Sequence, residues 1–135
     1  MIDTHAHIFT KEFDEDIKED IDRAKSVGVE KILLPNIDLD SYPRMMNLAQ
    51  QYPDFCLPMA GIHPCDIKED YQDLLKQTEQ WLSSEKFVAV GETGIDLYWD
   101  KTFIKEQKLA FAEHLRWGKE HNLPVVVHIR DSFDE

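Results

Sequence analysis

Five short apolar segments, alternating with four stretches of helical periodicity, constrain this chain more than any other feature. Met1–Ile8, Lys31–Pro35, Phe55–Ile62, Phe87–Val90 and Val125-Val126-Val127 read as strands. Glu15–Val27 places Ile17, Ile21, Ala24 and Val27 at helical spacing, with Gly28 as a C-cap. Ser41-Tyr42-Pro43 opens a second helix that runs through Met45, Met46, Leu48 and Ala49 toward Tyr52. Tyr71–Leu82 turns Leu74, Leu75, Thr78 and Leu82 inward, and Lys105–Glu120 offers Leu109, Ala112, Leu115 and Trp117 as core candidates. Strands that are continuously apolar and β-branched are buried on both faces, which is the mark of parallel βα units.

Polar residues recur at the carboxyl ends of these strands. The first delivers His5 and His7, the second Asn36, the third His63, the fourth Glu92 and the fifth His128. That is where parallel α/β barrels place their active sites, and core formation alone gives no reason for five in a row. His5 and His7 lie two residues apart. Strand side chains alternate with period two, so both rings leave the same side, roughly 7 Å apart along the strand. From there two neutral imidazoles can converge on one divalent ion. Ile2, Thr4, Ala6 and Ile8 then form the opposite, buried face.

Glu92 lies in Val90-Gly91-Glu92-Thr93-Gly94-Ile95-Asp96. The glycines allow close backbone approach, and a carboxylate has two oxygens with which to bridge two cations. Asp96 either caps the next segment or orients a ligand histidine from behind. His128 follows Val125-Val126-Val127, level with the other candidates. Arg130 either binds a phosphate oxygen in fork geometry or pairs with Asp131 or Asp96. His63, in Gly61-Ile62-His63-Pro64-Cys65, either orients substrate or makes a structural hydrogen bond. His114 and His121 read as surface or core-filling residues. Trp81, Trp99 and Trp117 read as core or rim, with Tyr98-Trp99 best placed to line a cleft.

Taken together, His5-Ala6-His7, Gly61-Ile62-His63-Pro64, Gly91-Glu92-Thr93-Gly94-Ile95-Asp96 and Val127-His128-Ile129-Arg130-Asp131 resemble the TatD family of metal-dependent DNases, amidohydrolase-like TIM-barrel enzymes. The resemblance runs from Met1 to the chain's end. It implies that His5 and His7 bind one divalent ion, that Glu92 bridges it to a second, and that His128 binds the second. It further implies hydrolysis of DNA phosphodiester bonds, with Glu92 at the catalytic centre; from their own positions, His63 and Arg130 are the candidates for contact with substrate. Imidazole with carboxylate suits Zn, Mn, Fe or Ni, and Mg where waters complete the shell. Phe9 stands where the family often has Asp or Asn, and Cys65 where it often has a second histidine. A different hydrolase of the same scaffold, acting on amide, lactone or phosphoester bonds, is the alternative. No lysine ends the fourth strand, which argues against relatives that bridge their metals with a modified lysine.

Composition adds limits. The net charge of −12 repels phosphate on average, so attraction to a nucleic acid has to come from local cations, bound metal ions above all. No apolar run is long enough for a membrane-spanning helix, and no secretory signal is visible. Cys56 and Cys65 have no need to pair, so a cytoplasmic setting is expected. A complete (β/α)8 barrel takes about 250 residues, and the chain has 135. The expected architecture is therefore the first five βα units of a TIM-type barrel. Residues 1–135 would be the N-terminal part of one hydrolase domain, truncated and by themselves inactive, with a further histidine and aspartate implied from later strands.

Overall fold

The computed structural model describes residues 1–135. Five strands form one parallel sheet, β1 (Ile2–Asp3), β2 (Lys31–Pro35), β3 (Cys56–Ala60), β4 (Ala89–Asp96) and β5 (Val125–Arg130). Their spatial order is their order in the chain. Strand order that never reverses, with a helix in the crossovers, is the connectivity of barrel βα units; a doubly wound sheet reverses partway. The helices are α1 (Ile17–Ser26), α2 (Tyr42–Gln51), α3 (Tyr71–Ser84) and α4 (Ile104–Glu120). Short 3-10 turns at Lys11–Phe13 and Pro64–Asp66 follow the first and third strands.

Local chemistry accounts for the boundaries. Gly28, just past the Val27 C-cap, adopts φ +88°, the left-handed conformation with which glycine ends a helix. Pro43 stands in the first turn of α2, where its missing N–H costs nothing. Two apolar clusters fill the space between sheet and helices. One joins Phe9, Ile21, Leu34, Met45 and Phe55; the other joins Ile62, Leu75, Leu82, Val90 and Trp117. Tyr42 and Trp81 stack at 3.6 Å between α2 and α3, and Tyr42 packs against both clusters. Each wholly buried aliphatic side chain, Leu34 or Met45 for example, contributes about 1.5–3 kcal/mol.

Three expectations need correction. The first strand is far shorter than Met1–Ile8, because the Asp3 carboxylate accepts the His5 N–H (3.1 Å) and the ladder stops there. Ile2 and Thr4 are exposed and Ala6 and Ile8 half-buried, so Phe9 supplies the buried apolar anchor instead. The fourth strand runs past Val90 to Asp96, with a bulge between Val90 and Thr93. Glu92 therefore sits inside a strand, and bulges re-aim side chains at such places. On α4, Leu109, Ala112 and Leu115 are exposed; the buried stripe is Gln107, Ala110, His114, Trp117 and Gly118.

The exposed apolar residues Leu109 and Leu115 on α4 and Val127 and Ile129 on β5 lie at the β5 end of the sheet. No helix is long and apolar enough to cross a membrane.

Candidate metal centre

Beyond the ladder, the segment after β1 stays beside β2: the Ala6 N–H donates to the Leu33 carbonyl at 3.1 Å. Its two histidines converge, Nε2 to Nε2, at 3.2 Å. His7 Nδ1 lies 3.1 Å from the Pro35 carbonyl oxygen. A carbonyl only accepts, so the ring carries its proton on Nδ1 and leaves the Nε2 lone pair facing inward. Glu92 Oε2 completes the group at 3.1 Å from His5 Nε2 and 3.5 Å from His7 Nε2. Donors about 2.0–2.1 Å from a tetrahedral ion stand about 3.3–3.4 Å from one another. The three separations fit that spacing, so the donor set suits a divalent ion.

Glu92 turns its other oxygen the opposite way. Oε1 is 3.0 Å from His128 Nδ1, while His128 Nε2 is 2.9 Å from Asp96 Oδ2. Asp96 accepts the Nε2 proton, which leaves Nδ1 as a lone pair facing a carboxylate oxygen. Two acceptors at that distance require a cation between them, a metal ion or a proton. Asp96 is itself held: Oδ1 accepts the Tyr98 N–H (3.0 Å), and the backbone at Asp96 exchanges two hydrogen bonds with the Gln107 amide (2.9 and 3.3 Å). Asp96 thus orients His128 from behind rather than capping the following segment alone.

His63 comes within 3.2 Å of His128 Nδ1 through its own Nε2. Distance alone groups it with Glu92 and His128 as a third ligand. Its hydrogen bonds argue otherwise. Nδ1 accepts the Cys65 N–H at 3.1 Å, so the neutral ring carries its proton on Nε2 and presents a donor to the centre. Burial holds the ring's pKa below the usual value against the opposing pull of Glu92, which favours that neutral donor form.

The Glu92 carboxyl is almost inaccessible. Burial pushes its pKa up, but the imidazoles of His7, His5, His63 and His128 gathered around its two oxygens outweigh that and hold it at about 2. It is an anion at neutral pH, able to act as a ligand and not as an acid. The strand around it tolerates only glycine. Gly94 has φ +145°, and a Cβ there would lie 2.0 Å from the His128 carbonyl oxygen. A Cβ on Gly61 would meet the Gly91 carbonyl carbon at 2.5 Å, so β3 and β4 close up beside Glu92.

Sequence reasoning missed two supports, both on α4. Gln107 clamps the end of β4, as above. His114 is wholly buried; its Nδ1–H donates to the Ala110 carbonyl (2.7 Å) and its Nε2 accepts the Ile62 N–H (3.1 Å). It fixes the backbone next to His63. The signal was the 107/110/114/117 spacing, which shares the helical stripe of Trp117. Asn36 is also structural: its Nδ2 donates to the carbonyls of Asp38 and Gly61, tying the ends of β2 and β3 together. Phe9 packs in the core and edge-on against His7 at 5.7 Å. Arg130 pairs with neither Asp131 nor Asp96; its guanidinium lies over Tyr98 at 3.8 Å and near Trp99 at 5.4 Å. Trp81 and Trp117 are core, Trp99 is exposed, and His121 lies exposed just past α4.

The model of TatD-related DNases matches residues 2–135. The chain belongs to that family. It is 36% identical over its whole length to the metal-dependent hydrolase YabD of Bacillus subtilis, covering 52% of that protein. Over 98% of its length it is 33% identical to the 3'-5' ssDNA/RNA exonuclease TatD of Pectobacterium carotovorum, covering 51% of it. The crystal structure of the TatD homologue YjjV from Escherichia coli superimposes with a TM-score of 0.88 at 33% identity, over 97% of this chain and 51% of that one. The TatD-family chain thus spans about half the length of the relatives it matches, and its five strands form the corresponding half of a TatD-type barrel.

Proposed function

We propose that residues 1–135 are the N-terminal part of a metal-dependent hydrolase domain that cleaves DNA phosphodiester bonds at two divalent ions. One observation carries this reading: the two oxygens of Glu92 face two separate histidine groups, Oε2 toward His5 and His7 and Oε1 toward His128. His5, His7 and Glu92 would hold one ion, and Glu92 with His128 the other. Divalent ions bound there neutralise phosphate charge and make water a competent nucleophile near neutral pH.

The chain's own side chains bind and orient. Pro35 fixes the tautomer of His7, and Asp96 fixes that of His128. Glu92 stays ionised and binds both sides of the centre. His63 offers its Nε2–H to a phosphate oxygen, and Arg130 offers a planar cation at the rim. Mg, Mn and Zn all suit this mixture of imidazole and carboxylate.

The test is metal analysis together with nucleotide release by the full-length protein, supplied in turn with Mg, Mn and Zn. About two ions per chain and release from DNA are expected. Turnover of small amides, lactones or phosphoesters without any release from DNA would overturn the nuclease reading in favour of another hydrolase on the same scaffold.

A further inference from the structure

Tyr98, Trp99 and Arg130 form an exposed cluster beside the metal centre, and none of the three is among its candidate ligands. Trp99 is 72% exposed and Tyr98 52%, whereas Trp81 and Trp117 are buried in the core. The two exposed rings meet edge to face, centroids 4.6 Å apart at 90°, and make a corner. Arg130 lies in it, 3.8 Å above Tyr98. Its planar cation has no carboxylate partner, in a chain with 27 acidic residues. An exposed stack of this kind buries little area, so stability gives a weak reason for it.

Its location supplies a better one. Arg130 follows His128 by two residues on β5, so both side chains leave the same side of the strand, roughly 7 Å apart. Asp96, which orients His128, pairs in register with Arg130 across the sheet, and Tyr98 and Trp99 come one residue after β4. The corner therefore borders the centre. A guanidinium stacked on an aromatic ring keeps its outer face free for another flat group and its edge N–H groups free for a phosphate. Flat groups joined by phosphates are what a single-stranded nucleic acid presents, and its bases stack on aromatic and arginine planes. With the chain as a whole repelling phosphate, stacking is a way to hold such a strand without a basic patch.

We infer that Tyr98, Trp99 and Arg130 are a base-stacking shelf that seats an unpaired nucleobase of a single-stranded substrate beside the metal centre. The inference rests on the nuclease reading for its substrate and deepens it. It requires an unstacked base, so a paired duplex end has to fray before it binds.

Two measurements on the full-length protein test it. First, a short single-stranded oligodeoxynucleotide is titrated in EDTA while tryptophan emission is followed, beside the same backbone made abasic. Emission quenched by the first and not by the second, with the quench lost in Trp99→Ala, is expected. Second, kcat and KM are measured for both strands. Trp99→Ala raises KM for the natural strand about tenfold, within the range for loss of one stacked base, and leaves KM for the abasic strand within twofold. Arg130→Lys, which keeps the charge and loses the plane, shifts KM the same way. Equal quenching by both strands, or equal changes on both, would mean that the shelf holds backbone or merely braces the loop, and the inference fails. If the wild type releases nothing from DNA, the nuclease reading falls, while the EDTA titration still decides whether the shelf takes a base.

Discussion

The two sides of the metal centre are built differently. His5 and His7 sit on a segment that has left its ladder, and both rings are partly open to solvent. The Asp3 carboxylate, the Leu33 and Pro35 carbonyls and the buried Phe9 that follows steady that segment. Glu92 and His128 lie on the longest strand and its neighbour, and every residue of β4 is buried. Asp96, Gln107 and the glycine contacts fix that side from behind. One side is thus preorganised by the protein, while the other would gain order from Glu92 and a bound ion. Selection of an ion is expected to be stricter on the β4–β5 side, and exchange faster at His5 and His7.

Glu92→Gln should break both sides at once, because the amide keeps the shape and loses the shared charge. Activity of the full-length enzyme should fall by about a thousandfold or more, and metal analysis should show loss at both positions. Retention of one tight ion would show that Glu92 serves a single side. Gly94→Ala attacks only the preorganised side, since its Cβ would collide with the His128 carbonyl oxygen. A loss on the order of 3–5 kcal/mol in denaturant unfolding is expected; a change under about 1 kcal/mol would mean that the strands separate easily there.

Asp96→Asn is gentler. It keeps the size and the Tyr98 contact but weakens the charge-assisted hold on His128 Nε2. Affinity for one ion should drop about 10–100-fold while the ion at His5 and His7 stays. Titration calorimetry separates the two. Equal weakening of both would contradict the division between them.

Much of this architecture was legible beforehand, for specific reasons. Continuous apolar strands and helical spacing marked the βα units, and the period of two placed His5 and His7 together although their strand is nearly absent. Glycines misled at β4: Gly91 and Gly94 look like a strand's end, but neighbouring strands press so close that only glycine lets β4 continue. Hydrophobicity misled at α4, because Gln107 and His114 face inward to bond backbone at Asp96 and Ile62, while Leu109 and Leu115 face out. Tautomers were beyond reach altogether. The assignment of His63 as donor depends on a single N–H, that of Cys65, whose position the residue order does not reveal.

The last prediction concerns a support shared by neither ion. Burial pushes the His114 pKa down to about 4, against the Ala110 carbonyl that favours its charged form. The unfolded chain takes up that proton at about pH 6.5, and the folded chain refuses it until about pH 4. Between those values the unfolded state binds more protons, so folding stability must fall as pH falls, by at most about 1.4 kcal/mol per pH unit from this group. Glu92, with its pKa lowered from 4.5 to about 2, adds a loss of stability only below about pH 4.5. The two windows barely overlap. Denaturant unfolding of the metal-free, full-length protein from pH 7.5 to 4.5 should therefore show a slope that His114→Gln flattens and Glu92→Gln leaves in place. An unchanged slope in His114→Gln would show that the folded chain releases the Ile62 contact and lets His114 take up its proton as readily as the unfolded chain does.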